Sequence, residues 1–130
     1  MVPVEQASPA LRAGDRICAS KLLRNGGSGV RFAVIYRGQV EPAFAVRHAD
    51  RAVAYLNRCA HRHVELDWEQ GNFFDVEGRL LVCATHGALY EPLSGFCVAG
   101  PCRGDRLVSL PVAEHDRSLW LAHSAEDMVK

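Results

Sequence analysis

The sequence carries no surplus of charge: fifteen Lys and Arg stand against fifteen Asp and Glu in 130 residues. A nucleic-acid partner is therefore not expected, because non-specific affinity for phosphates comes from excess basic charge. Long apolar runs are missing too. The longest extend only a few residues, far short of the ~20 that cross a bilayer. The opening Met1-Val2-Pro3-Val4-Glu5-Gln6 has no basic stretch followed by an apolar one, so it does not read as a secretory signal. No membrane association and a cytoplasmic location are the expectation. Cysteine is neither dense nor even in number: Cys18, Cys59, Cys83, Cys97 and Cys102 make five. That count argues against the disulfide framework of a small secreted domain. Sustained helical periodicity is absent apart from a turn's worth near Ala125 to Val129. What remains is ordinary globular composition, 48% hydrophobic and 23% charged, unlike that of a disordered chain.

Short alternating runs fill the chain. Val30, Phe32, Val34 and Tyr36 share one strand face, and after an Arg37-Gly38 turn Val40, Phe44 and Val46 share one face of the next. Pro42 places that second strand at a sheet edge. From Ala52 to Asn57, Val53 and Tyr55 face one way while Ala54 and Leu56 face the other. Further runs at 80–83, 107–110 and 118–121 are separated by Glu77-Gly78, Ser94-Gly95, Gly100-Pro101 and His115-Asp116. Many short strands at close intervals predict a single all-β domain, an antiparallel sandwich or barrel. Residues 1–14, with Pro3 and Pro9, read as a loosely attached arm.

Two segments carry chemistry. Cys59-Ala60-His61 and Cys83-Ala84-Thr85-His86 each join a thiol to an imidazole over a short spacing, and each follows a predicted strand. Two such loops facing one another present two sulfurs and two nitrogens to a shared centre. Donor types alone leave a tetrahedral zinc ion and an iron–sulfur cluster both open.

The flanking residues carry a resemblance. Cys59-x-His61 followed by Cys83-x-x-His86 resembles the Rieske [2Fe–2S] signature, in which histidines replace cysteines on one iron. The likeness runs on through His86-Gly87-Ala88-Leu89-Tyr90, Ser94-Gly95, Gly100-Pro101, Leu107, Leu110-Pro111 and Val112. It implies an all-β, Rieske-like antiparallel β-sandwich with a small cluster-binding subdomain over residues 15–123, leaving 124–130 as a tail. It also implies a Rieske-type [2Fe–2S] cluster, with Cys59 and Cys83 on the inner iron and His61 and His86 on the outer one. The Gly100-Pro101 turn matches the loop that covers the cluster, Gly87 lets the backbone approach and offers amides to sulfur, and Tyr90 donates to sulfur. The potential is expected near the lower end of the family's range, because Ala88 stands where high-potential members carry a serine.

Within the family, respiratory-chain subunits carry a membrane anchor and a disulfide between the ligand loops, and oxygenase catalytic subunits continue into a large iron-binding domain. Neither pattern is expected here. The resemblance therefore implies a soluble Rieske-type ferredoxin, an electron-transfer component rather than an enzyme alone. Its partners are protein donors and acceptors, a reductase and an oxygenase or similar. The alternatives are a small redox or regulatory subunit of a larger oxidoreductase complex and a zinc-stabilised β interaction module. His63 competes with His61 by position, though the family spacing favours His61. His48, His115 and His123 read as surface residues, and Cys18, Trp68 and Trp120 as core. Cys97 and Cys102 flank the Gly100-Pro101 turn within bridging reach, but a reducing compartment leaves them expected as thiols. Glu65, Asp67, Glu69, Asp75 and Glu77 read as a solvated hairpin face or an acidic docking patch.

Overall fold

Alternating apolar residues and two-residue turns give the chain ten short strands in the computed structural model, which describes residues 10–59, 66–67, 71–83, 87–100 and 104–122. They are β1 (Arg16–Ala19), β2 (Val30–Tyr36), β3 (Gln39–His48), β4 (Arg51–Leu56), β5 (Leu81–Val82), β6 (Leu89–Tyr90), β7 (Cys97–Ala99), β8 (Ser109–Leu110), β9 (Val112–His115) and β10 (Ser118–Leu121). All pair antiparallel, in three sheets ordered β1-β10-β9, β2-β3-β4-β8 and β5-β6-β7. One 3-10 turn, Ser20–Leu22, follows β1. Among the described residues no helix is long and apolar enough to cross a membrane. This is the all-β sandwich with a small appended sheet that the sequence predicts.

The long hairpins turn on two residues each, Arg37-Gly38, Ala49-Asp50 and Asp116-Arg117, all at positive φ. That left-handed pair matches the twist of the strands it joins. Ala49-Asp50 lacks the usual glycine, and Asn25 compensates. Its Nδ2 donates to Asp50 Oδ1 and its Oδ1 accepts the Asp50 amide, both at 2.8 Å.

Alternation along β3 and β4 builds two cores on opposite faces of the central sheet. Phe44, Val46, Tyr55 and the partly buried Val53 face one core, with Phe44 stacked on Phe73 at 4.0 Å between centroids. Ala43, Ala45, Ala54 and Leu56 face the other, with Cys18, Leu119 and Leu121 from β1 and β10. The face assignments of β2 and β4 are those read from the sequence, and Cys18 is a core residue as expected. Val40 departs from them: it is 66% exposed, because it stands next to the hairpin turn, beyond the reach of β4.

Three further expectations are corrected. β3 is not an edge strand, since β2 and β4 flank it. Pro42 is tolerated because regular β4 pairing stops at Ala43↔Leu56, and the Pro42 carbonyl still accepts the Asn57 amide at 2.8 Å. Trp120 is only half-buried. It stacks on His115 at 5.2 Å and its indole N–H donates to the His115 carbonyl, tying the β9–β10 hairpin rather than filling a core. Cys97 is disulfide-bonded rather than a thiol; its side chain points inward from β7 opposite Tyr90. Cys18 is a buried free thiol, and Cys102 lies outside the described residues. At the N-terminal side, Leu11 bridges Val34, its amide donating to Ala33 and its carbonyl accepting from Ile35.

Candidate metal centre

The expected cysteines come at the ends of two strands that face one core. Cys59 follows β4 after Asn57 and Arg58, and Cys83 follows β5 directly. Both are fully buried, and both belong to the core cluster that holds Leu66, Phe73, Ala88 and Tyr90. β5 is apolar to its end and delivers Cys83 directly into the core, whereas Cys59 is reached after a bend at Asn57 and Arg58.

The second segment is tightly closed. The Gly87 amide donates to the Cys83 carbonyl at 2.7 Å, and the Cys83 amide donates to the Ala88 carbonyl at 2.9 Å. Gly87 holds φ at +74°, and a Cβ there would meet nothing within 4 Å. Glycine is required by the dihedral rather than by space. Its amide closes the turn onto the Cys83 carbonyl. Gly100 is constrained in both respects. Its φ is +103° and a Cβ would stand 2.8 Å from the Ala88 Cα. The entrance to the expected cover therefore lies directly against the second segment.

Tyr90 reaches the first segment. Its hydroxyl lies 3.1 Å from Cys59 Sγ, joining the sulfur after β4 to β6. With Cys59 as thiolate, the phenol is the donor. A hydroxyl aimed at a buried sulfur, with a second buried thiol in the same core, fits a thiolate-held cationic centre. His61, His63, His86, Pro101 and Trp68 lie outside the described residues, so only Cys59, Cys83, Gly87, Tyr90 and Gly100 of the expected site are placed. Among the described residues no group of three His, Cys, Asp or Glu side chains stands close enough to hold a metal ion, as half of the expected ligand set is not among them.

The loop between β6 and β7 is pinned from outside. Burial pushes the Glu91 carboxyl up, but the Ser94 hydroxyl and the Leu93 and Ser94 amides outweigh it and hold the group below its ordinary value. The Tyr55 hydroxyl donates to the Pro92 carbonyl at 2.5 Å, and Gly95 leaves room for the Tyr55 ring, which a Cβ would meet at 2.9 Å. Burial raises the Tyr55 phenol above its ordinary value.

Of the acidic segment, Glu65 and Glu69 lie outside the described residues, and Asp67, Asp75 and Glu77 do not share one surface. Asp75 caps the next turn by accepting the Arg79 amide at 2.9 Å, which lowers its pKa, and Glu77 is exposed beside Arg79. Asp67 is buried. It belongs to a polar network with Asn57 and Arg31 that the sequence reading missed. Asn57, the uncharged polar residue that directly follows the apolar end of β4, is the signal that was present; nothing in the sequence pointed to Arg31. An open cleft of about 380 Å³ between Asn25, His48 and Glu77 is lined by none of the expected ligands.

Comparison with known proteins agrees with this architecture. The model of the Rieske [2Fe–2S] domain matches residues 13–114. No curated protein matches the chain. Among solved structures, a ferredoxin from Sphingomonas yanoikuyae B1 is similar at 18% identity, covering 85% of this chain and 99% of that one with a TM-score of 0.66. The ferredoxin of carbazole 1,9a-dioxygenase from Nocardioides aromaticivorans IC177 is similar at 21% identity over 86% and 99%, TM-score 0.64. The terminal oxygenase of that system is similar at 20% identity over 86% of this chain but 30% of its own, TM-score 0.65. At these identities the likeness is one of fold.

Proposed function

The chain belongs to the Rieske [2Fe–2S] family, and from that premise we propose that it is a ferredoxin-type carrier in the cytoplasm, moving single electrons from a reductase to an oxygenase or similar acceptor. The family's cofactor is the [2Fe–2S] cluster, which supplies a one-electron couple when bound. Cys59 and Cys83 would hold one iron through sulfur and His61 and His86 the other through imidazole. The observation that carries the ligand reading is the contact of the Tyr90 hydroxyl with Cys59 Sγ, inside a core that also buries Cys83. Around that centre the chain's own residues have three tasks. Tyr90 donates a hydrogen bond to a sulfur, Gly100 brings backbone against Ala88, and the buried apolar walls from Leu66, Phe73 and Leu81 keep water from the sulfurs.

The carrier role is supported by the similarity to two ferredoxins over 99% of their length, one of which serves a dioxygenase by name. An anaerobic reductive titration tests it. The purified protein should take up one electron per two irons and return it to an oxidised Rieske oxygenase component. A protein that takes up no electron, or holds zinc without sulfide, contradicts the reading.

A further inference from the structure

The segment that carries Cys59 leaves the central sheet at Asn57 and comes back at Leu66 and Asp67. Those two feet are tied to each other. Asn57 is fully buried, with its Nδ2 donating to Asp67 Oδ1 at 3.0 Å and its Oδ1 accepting the Leu66 amide at 2.9 Å. The Asn57 amide is itself donated to the Pro42 carbonyl of β3 at 2.8 Å. Asp67 has a fully enclosed side chain whose other oxygen accepts the Gly71 amide at 2.9 Å and lies 3.0 Å from Arg31 Nε of β2. The Gly71 carbonyl in turn accepts the Gly29 amide at 2.8 Å, and Gly29 cannot bear a Cβ because Phe73 would stand 2.7 Å from it. Both feet are thereby fastened to the central sheet.

We propose that Asn57, Asp67 and Arg31 form a positioning lock for the first ligand segment, one that fastens its two ends on either side of Cys59 and limits loss of the cluster. This rests on the ligand reading given above. A buried amide–carboxylate pair is costly to leave half-satisfied. A polar pair in an otherwise apolar core is therefore expected to fix one arrangement of the chain, here the separation of Asn57 from Leu66 and Asp67 on either side of Cys59. Groups that orient ligands from behind are worth about 10- to 100-fold in metal affinity.

The chemistry of the pair provides the test. Asp67→Asn leaves two amide NH2 or N–H donors facing one another, whichever way the new amide turns. Asn57→Asp sets two carboxylates 3.0 Å apart in place of the present bond. The exchange of both, Asn57→Asp with Asp67→Asn, restores every donor–acceptor pair. Residue 57 then accepts the Leu66 amide and the new amide NH2, and residue 67 keeps one oxygen for Gly71. Arg31→Gln, on the half-exposed side of the network, is the milder variant that keeps the chain folded. Leu121→Ala, in the opposite core, serves as a control that lowers stability away from the site.

Loaded protein would be challenged with an iron chelator, and the reduced state examined by electron paramagnetic resonance, with thermal unfolding of the metal-free forms in parallel. Asp67→Asn is expected to lose iron about 10- to 100-fold faster and to shift or broaden the resonance, and Arg31→Gln to lose iron faster by a smaller factor. The exchanged pair should return both readouts to those of the unaltered protein. Leu121→Ala should lower thermal stability without altering iron release. Iron release that follows thermal stability alike in Asp67→Asn and Leu121→Ala would overturn the lock, as would an exchanged pair that regains stability but still sheds iron. Iron in the unaltered protein together with unchanged release in Asp67→Asn overturns the lock alone. An unaltered protein that binds no iron overturns the ligand reading and the lock with it.

Discussion

The hydroxyl of Tyr90 lies 3.1 Å from the sulfur of Cys59, so β6 touches the cysteine that follows β4. A hydrogen bond to a thiolate stabilises the more negative, reduced state of a centre bound there and raises its potential. Hydrogen bonds to charged groups contribute about 1.5–3 kcal/mol, which for a one-electron couple is ~65–130 mV. Tyr90→Phe is expected to lower the potential by an amount in that range in protein-film voltammetry, with iron content unchanged. Ala88→Ser, in the same buried core, is expected to raise it. A Tyr90→Phe potential equal to that of the unaltered protein would show that the phenol does not bond to sulfur.

Alkaline stability should depend on Tyr55. Its phenol is raised above the ordinary value of 10.0 by burial and donates to Pro92. The folded protein thus holds a proton that the unfolded chain releases near pH 10. Stability from this group is fully present below that pH and is lost as pH rises above it. Phenolate absorbance of Tyr55 should appear only together with unfolding monitored by circular dichroism. Tyr55→Phe should weaken the fold at neutral pH but flatten its decline above pH 10. An unchanged alkaline slope in Tyr55→Phe would contradict this.

Gly87 and Gly100 separate dihedral strain from crowding beside the same strand. Gly87 at φ +74° faces open space, so Gly87→Asn should cost about 1 kcal/mol or less, since Asn tolerates the left-handed region. Gly100→Ala adds a Cβ 2.8 Å from the Ala88 backbone at φ +103°. Overpacking at ~1–3 kcal/mol plus the left-handed penalty of ~1–2 kcal/mol makes it the more damaging change. Chemical denaturation of the two variants checks the order, and a Gly100→Ala protein as stable as Gly87→Asn would be inconsistent with it.

Strand content and the two faces of β4 were legible because alternation is a local signal: Val53 and Tyr55 go one way, Ala54 and Leu56 the other. Pro42 misled because proline reports a missing donor, not where the neighbouring strand ends. Trp120 misled because its size suggested a core, whereas its indole serves the hairpin below it. At the candidate centre, Cys59, Cys83 and Tyr90 stood in a recognisable order in the sequence, and the fold buries all three in one core. Asp67 looked like one charge in an acidic run. Its burial depends on Asn57, ten residues earlier, and on Arg31 from another strand, a pairing that exists only once the sheet has formed.

The central claim is that two imidazoles and two thiolates hold the cluster, and nitrogen hyperfine coupling tests it most directly. Electron–nuclear double resonance on the reduced protein should detect two coupled nitrogens, both retained in His63→Ala, whereas His61→Ala and His86→Ala should each fail to hold an intact cluster. A reduced cluster with no coupled nitrogen, or one that survives His61→Ala and is lost in His63→Ala, would contradict the ligand set.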